Sequence, residues 1–366
     1  MTWLKRAVGA LVAPLVAVIA AMLITSVVVA LSGSSALEFW QIILEPPASR
    51  VYVNIVNQAS MIFLSALAAA VGFRMNLFNI GVEGQYHIAS YVAAVVVGAA
   101  IVPGPLNILL GLIVAMATGA VWAGIAGVLR VTRGVSEVIS TIMLNAIAGT
   151  LVGYFLSTYG IRAGNSRRTE IIPESSRVPG FFPFEERDGA IWGLVLLALV
   201  MGIAFTFVLN RTRFGFDLRA TGMSETAAVA SGVKVSRMIV ISMMISGAIA
   251  GLLWMPSFYG ATYNYGTAFQ AGLGFTGIAV ALLGRNRPLG IMFGALLFAF
   301  LNEQSNRLTL QSDISQNVVQ ITQGVIVLAV VVAYEVVRRR QAAAEQRAVT
   351  QRLEGEKAPA GQGVSA

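Results

Sequence analysis

Phe78-Asn-Ile-Gly-Val-Glu-Gly-Gln85 lies between two long apolar segments, and its reading decides the fold. Two glycines, Asn79, Glu83 and Gln85 stand where the flanking sequence is Leu, Ala and Val. A lipid-facing helix does not carry such a run. The glycines break helical continuity, and each polar group left at membrane depth needs a partner inside the protein. Arg74, four residues before the run, marks its start as the cytoplasmic side. The expectation is a segment that re-enters the membrane from that face. Glu83 is expected to brace the break, because a carboxylate gains most from backbone amides that a broken helix frees.

Working outward, the composition supports a membrane setting throughout. Of 366 residues, 57% are hydrophobic and 11% charged, with a mean hydropathy of +0.76; a soluble domain carries roughly 25% charged residues. Cysteine is absent and His87 is the one histidine, which argues against a disulfide framework, a thiolate metal site and a Ser-His-Asp triad. The net charge of +8 fits cytoplasmic loop charges better than a nucleic-acid partner, since basic clusters with interleaved aromatics are missing.

A helix needs about 20 apolar residues to cross the hydrocarbon. The sequence predicts an all-α polytopic protein with ten transmembrane helices: 8–31, 52–73, 86–102, 105–129, 137–159, 190–209, 237–256, 271–284, 288–304 and 318–337. The first is too long for a signal-peptide core. With both termini in the cytoplasm, Arg50, Arg162, Arg167, Arg168, Arg177, Arg187 and Arg307 fall outside and the remaining 18 of 25 Lys and Arg fall inside. That asymmetry predicts an N-in, C-in topology. Residues 1–337 form one membrane domain, with an external loop at 160–189 and a cytoplasmic loop at 210–236. Residues 338–366 are a charged tail expected to be disordered.

The loop 210–236 holds a short helix signal. Ser224 can cap it, Glu225 suits its positive end, and Gly232 can close it. Such a helix is too short to stand alone in water, and it suits either docking on a partner or resting on lipid headgroups. Among intramembrane polar residues, Ser140, Thr141 and Asn145 follow Glu137 on the fifth span; interhelical hydrogen bonding is the plain reading for the first two. Gly247-x-x-x-Gly251 and Gly290-x-x-x-Gly294 mark close helix packing. Trp254, Phe258, Tyr259, Tyr263 and Tyr265 read as an interfacial aromatic belt. The lysines are Lys5, Lys234 and Lys357, and none follows a glycine loop, so the chain holds no P-loop.

Phe78 to Gln85, Ser136-Glu-Val-Ile-Ser-Thr-Ile-Met-Leu-Asn145, Arg219-Ala-Thr-Gly through Ala230-Ser-Gly-Val233, and Gly274-Phe-Thr-Gly-Ile-Ala-Val-Ala-Leu-Leu-Gly-Arg285 occur in this order. Together they resemble the permease subunit of an ATP-binding-cassette importer, in the group serving branched-chain amino acids, simple sugars and nucleosides. The first and last motifs are most similar to nucleoside-uptake permeases. The resemblance covers about residues 50 to 335 and implies a type II-like importer fold in a bacterial inner membrane.

The resemblance further implies a separate cytoplasmic ATP-binding subunit, a second permease subunit and a substrate-binding lipoprotein, with no cofactor. Ser224, Glu225, Thr226, Ala227, Ala228 and Gly232 would form the helix that couples to the ATPase. Thr226 stands where the family's Glu-Ala-Ala loop has alanine. Depth and polarity nominate Asn57, Gln58, Asn79, Glu83, Gln85, Asn145, Phe275 and Thr276 for the substrate pathway. The competing readings are a sugar or branched-chain amino acid permease of the same group, an ion-driven secondary transporter, and a membrane-embedded enzyme. Only Glu83 and Glu303 are placed to serve an ion site, and an inverted repeat is not evident.

Overall fold

The computed structural model describes residues 19–312, 314, 315, 317–333, 336, 339 and 346. The start of the expected first span and most of the 338–366 tail lie outside the described residues. The chain divides into two units, Gln41–Ser312 and a smaller one made of 1–40 with 313–366. In the smaller unit, α1 (Ile19–Leu31) and α14 (Asn317–Ala333) are short apolar helices. There the Trp40 indole donates to the Ser26 hydroxyl at 2.9 Å. Between them in sequence, α2 (Ala36–Leu44) runs across the unit boundary.

The larger unit is built around α3 (Ser49–Arg74). Its apolar window is 89% buried, against 28% for α5 (Gly104–Arg133) and 22% for α6 (Glu137–Tyr159). α3 is therefore the core helix and α6 a peripheral one. Around α3 pack α7 (Val195–Arg211), α10 (Val235–Gly251), α12 (Leu273–Leu283) and α13 (Pro288–Gln311). On the other side, α4 (Val82–Gly98) lies against α5 and α6, and α5 against α10.

The α5–α10 contact follows from small residues. A Cβ on Gly247 would strike the Gly119 carbonyl, and one on Gly251 the Ala115 carbonyl. The backbones approach as closely as the Gly-x-x-x-Gly spacing predicts.

Among the described residues, four helical runs are long and apolar enough to cross a bilayer: α3, α5, α6 and Val235–Thr262. The last continues α10 through a one-turn helix, α11 (Met255–Ser257), and a π turn at Phe258–Thr262. A fifth candidate joins α7 to α8 (Arg213–Met223), bent by 72°. Sequence alone did not give α8; Thr212 caps it by accepting from the Gly215 amide at 3.2 Å. α9 (Glu225–Ala230) follows at once.

The segment 160–189 is not plain loop. It holds a small hairpin, β1 (Ile161–Ala163) antiparallel to β2 (Ser166–Arg168), with Ile161 opposite Arg168. It is stitched to the turn after α11. Thr169 and Ile172 donate backbone N–H groups to the Tyr265 and Tyr263 carbonyls, both at 2.9 Å, and Val178 donates to Tyr259 at 3.1 Å. The Arg177 guanidinium sits 4.4 Å from the centre of the Tyr263 ring, a cation–π contact.

Candidate functional site

α3 ends where the decisive motif begins. Asn76 takes a left-handed backbone (φ 59°), and the Leu77 amide returns to the Gly72 carbonyl at 3.0 Å, a closing pattern of helix C-termini. The chain then turns through Phe78–Gly81 and restarts as α4. The turn leaves backbone groups without helical partners, and side chains supply them.

Asn79 is fully buried. Its Oδ1 accepts from the Gly81 amide and from Gln85 Nε2, both at 2.9 Å. Its Nδ2 donates to Gln85 Oε1 at 3.0 Å and to the Ser246 hydroxyl on α10 at 2.8 Å. Ser246 in turn donates to the Ala68 carbonyl on α3 at 2.6 Å. On α6, Asn145 accepts from the Gly84 amide at 2.8 Å and donates to the Ile80 carbonyl at 2.9 Å. Gly84 is required for this, because a Cβ there would lie 2.7 Å from the Asn145 Cα.

Glu83 braces a second break. Its Oε1 accepts from the Gly272 amide at 2.7 Å and from the Tyr86 hydroxyl at 3.2 Å; its Oε2 accepts from the Gly274 amide at 2.9 Å. Gly272 and Gly274 open α12, where the first backbone amides have no helical acceptor. A carboxylate at a helix N-terminus meets both those donors and the positive end of the dipole. The Gly-rich sequence at 272–277 thus starts a helix on a carboxylate from α4.

The other pathway nominees differ. Buried Asn57 donates to the Ala190 carbonyl at 3.0 Å and accepts from the Trp192 amide at 2.9 Å. Thr276 donates back to the Gly272 carbonyl at 3.1 Å. Gln58 is half-buried and its Oε1 has no partner among the described residues. The Phe275 ring is 52% exposed. Ser140 and Thr141 donate to carbonyls of their own helix, at Ser136 and Glu137, not to a neighbouring helix as the sequence predicts.

The aromatic belt also needs correction. Trp254, Phe258 and Tyr259 are fully buried and Tyr265 nearly so. They form an internal cluster with Phe269, whose ring stacks on His87 (4.7 Å, 15°) and Tyr86 (5.3 Å, 24°). Aromatic residues at the end of an apolar run fit a lipid boundary and a protein interior equally well, and the 160–189 segment hydrogen-bonded over them decides for the interior. Burial, with Tyr91 and Glu83 nearby, raises the Tyr265 hydroxyl above the usual phenol range, so it stays neutral.

The short helix expected in 210–236 is α9. Ser224 accepts from the Ala227 amide at 3.2 Å. Gly232 is left-handed (φ 83°) and the Val233 amide returns to the Ala228 carbonyl at 3.0 Å. Arg130, at the end of α5, pairs with Glu137 and, at 3.5 Å, with Glu225 of α9. Glu137 also accepts from the Phe78 amide at 3.2 Å. α9 is linked by this chain of charges to the start of the decisive motif. Neither Arg130 nor Glu137 stands out by sequence spacing as a partner of Glu225.

These features define a helical membrane protein whose intramembrane polar groups brace helix breaks. Residues 51–333 match the family described as "Branched-chain amino acid transport system / permease component", and the chain belongs to it. Among its relatives, the guanosine ABC transporter permease protein NupP of Bacillus subtilis is 34% identical over 89% of this chain and 94% of its own length. The nucleoside ABC transporter permease protein NupB of Lactococcus lactis is 30% identical, over 75% of this chain and 77% of its own. The glucose ABC transporter permease protein TsgB13 of Haloferax volcanii is 28% identical, over 75% of this chain and 74% of its own. The chain is an ABC transporter permease, a transport component and not an enzyme.

Proposed function

We propose that this chain imports nucleosides, as a permease subunit driven by a separate ATP-binding subunit. The observation that carries the substrate class is its 34% identity, over nearly the full length of both chains, to a permease named for guanosine. The similarity to a sugar permease is lower.

In this reading the chain spans a bacterial inner membrane ten times with both termini inside, as the positive-inside count supports. A second permease subunit completes the pathway, and a lipoprotein delivers substrate to the segment at 160–189 and the turn at 257–270. The hydrogen bonds that stitch those two together support a common receiving surface. Residues 224–232 are the coupling element. The support is the chain Glu225–Arg130–Glu137–Phe78, which gives a push on α9 a route to α5, α6 and the 78–85 turn. Asn57, Asn79, Glu83 and Gln85 shape the pathway from behind, since their polar atoms bond within the protein. Asn145 does the same, its amide being held by Gly84 and Ile80; Gln58, Phe275 and Thr276 line the pathway. Transport is alternating access: ATP-driven work stabilises inward and outward states differently.

The test is uptake of radiolabelled guanosine by proteoliposomes that hold the permease with its ATPase and binding protein. Guanosine should accumulate only with ATP and the ATPase. Transport that survives without the ATPase, or that carries leucine or glucose and not guanosine, sinks the proposal. Glu225→Arg would place a cation against Arg130, and it should leave ATP hydrolysis running without uptake.

A further inference from the structure

The ends of α4 and α6 nearest residues 160–170 line a half-open cavity of about 510 Å³ that the brace around Glu83 does not use. Its size falls within the ~300–1,000 Å³ of small-molecule sites. Tyr91, Val95, Phe155, Tyr159, Thr169 and Glu170 are among its walls. The Tyr91 and Phe155 rings lie within 10° of parallel, their centres 6.2 Å apart. Tyr159 stands 6.3 Å from Phe155. Phe155 is 37% exposed and Tyr159 73%, so flat apolar faces are open to an occupant.

The polar side of the cavity is sparse. The Thr169 hydroxyl accepts from the Tyr265 amide at 3.0 Å and donates to the Glu170 carbonyl at 3.3 Å. Glu170 is exposed, and its carboxylate makes no hydrogen bond or ion pair among the described residues. One acceptor group beside parallel aromatic faces suits a flat ring that carries N–H or O–H donors. An acyl chain would use the rings and leave the carboxylate idle.

We infer that this cavity binds an uncharged aromatic heterocycle, with its ring on Phe155, which the buried Tyr91 backs, and its donors on Glu170. A purine nucleoside has this chemistry, so the inference rests on the nucleoside reading and gives it a site. The cavity also connects inward. The Tyr91 edge meets Tyr265 at 5.6 Å, Tyr265 meets Phe269 at 4.7 Å, and Phe269 stacks on Tyr86, which bonds Glu83. An occupant is therefore joined by touching rings to the carboxylate that holds the start of α12.

The test uses the whole importer in nanodiscs without its binding protein, with radiolabelled 8-azidoguanosine as photoprobe. Label should map to peptides holding Tyr91 or Phe155. Unlabelled guanosine should displace it and ribose should not. Phe155→Leu and Glu170→Gln should each cut labelling about three- to tenfold, the scale of one stacked pair or one such hydrogen bond. The wild-type map needs no variant to fold. Guanosine uptake with no label in the cavity, or label that guanosine does not displace, overturns the cavity and leaves the nucleoside reading standing. A wild-type importer that carries no nucleoside overturns both.

Discussion

Glu83→Gln isolates what the buried carboxylate does. In the native protein its two oxygens accept from the Gly272 and Gly274 amides at 2.7 and 2.9 Å. A glutamine is the same size but has one acceptor oxygen; its NH₂ group points a donor at a donor. One amide at the start of α12 then loses its partner, at about 1–3 kcal/mol. The other bond loses its charge assistance, worth roughly 1 kcal/mol more. The sum is about 2–4 kcal/mol. Denaturation of the purified protein in mixed micelles, followed by tryptophan fluorescence, reads this directly, because Trp254 is 5.4 Å from Phe269 in the adjoining cluster. Hydrogen exchange at 272–276 should rise in parallel. Equal or greater stability of Glu83→Gln, with unchanged exchange at those amides, would refute the brace. It would mean that the carboxylate's desolvation outweighs its bonds.

Asn79→Leu strips partners from Gln85, Ser246 and Gly81 together and should cost about 2–4 kcal/mol. Adding Gln85→Leu should recover part of that in a double-mutant cycle, since both members of the pair are then apolar. Arg74 donates twice to the Asn286 carbonyl, at 3.1 and 2.9 Å. This steadies a turn in which Arg285 and Asn286 are both left-handed, a backbone state that costs about 1 kcal/mol or more per residue. Arg74→Ala should raise hydrogen exchange at 284–287 severalfold while leaving exchange across α3 unchanged.

Local chemistry was legible in the sequence where it breaks the apolar background. The polar run at 78–85 and the Ser224 and Gly232 ends of α9 follow from residue types whose hydrogen-bonding or backbone demands are specific. Glu83 was legible as a brace, but the amides it holds belong to the start of α12 and not to its own run. What was not legible depends on which apolar surface meets protein and which meets lipid. Hydropathy does not separate them, because lipid is as apolar as a core. Trp254, Phe258 and Tyr259 therefore read as a boundary belt when they are core. The partners of Glu137 were hidden for a different reason. Arg130 and Phe78 come to it from other elements, and neither carries a spacing signal. α8 escaped because its polar residues, Arg213, Asp217 and Arg219, resemble loop composition.

The Asn145 side chain offers one donor and one acceptor, spaced as in a peptide unit, to Ile80 and Gly84. It acts as a borrowed link of backbone, so that α6 supplies a rung of the ladder that α4 lacks. Sliding or rotating one of these helices against the other would break both bonds at once. The two bonds tie α4 to α6, so the pair is expected to move together. Relative motion of the bundle is then expected at helix contacts that lack such paired bonds.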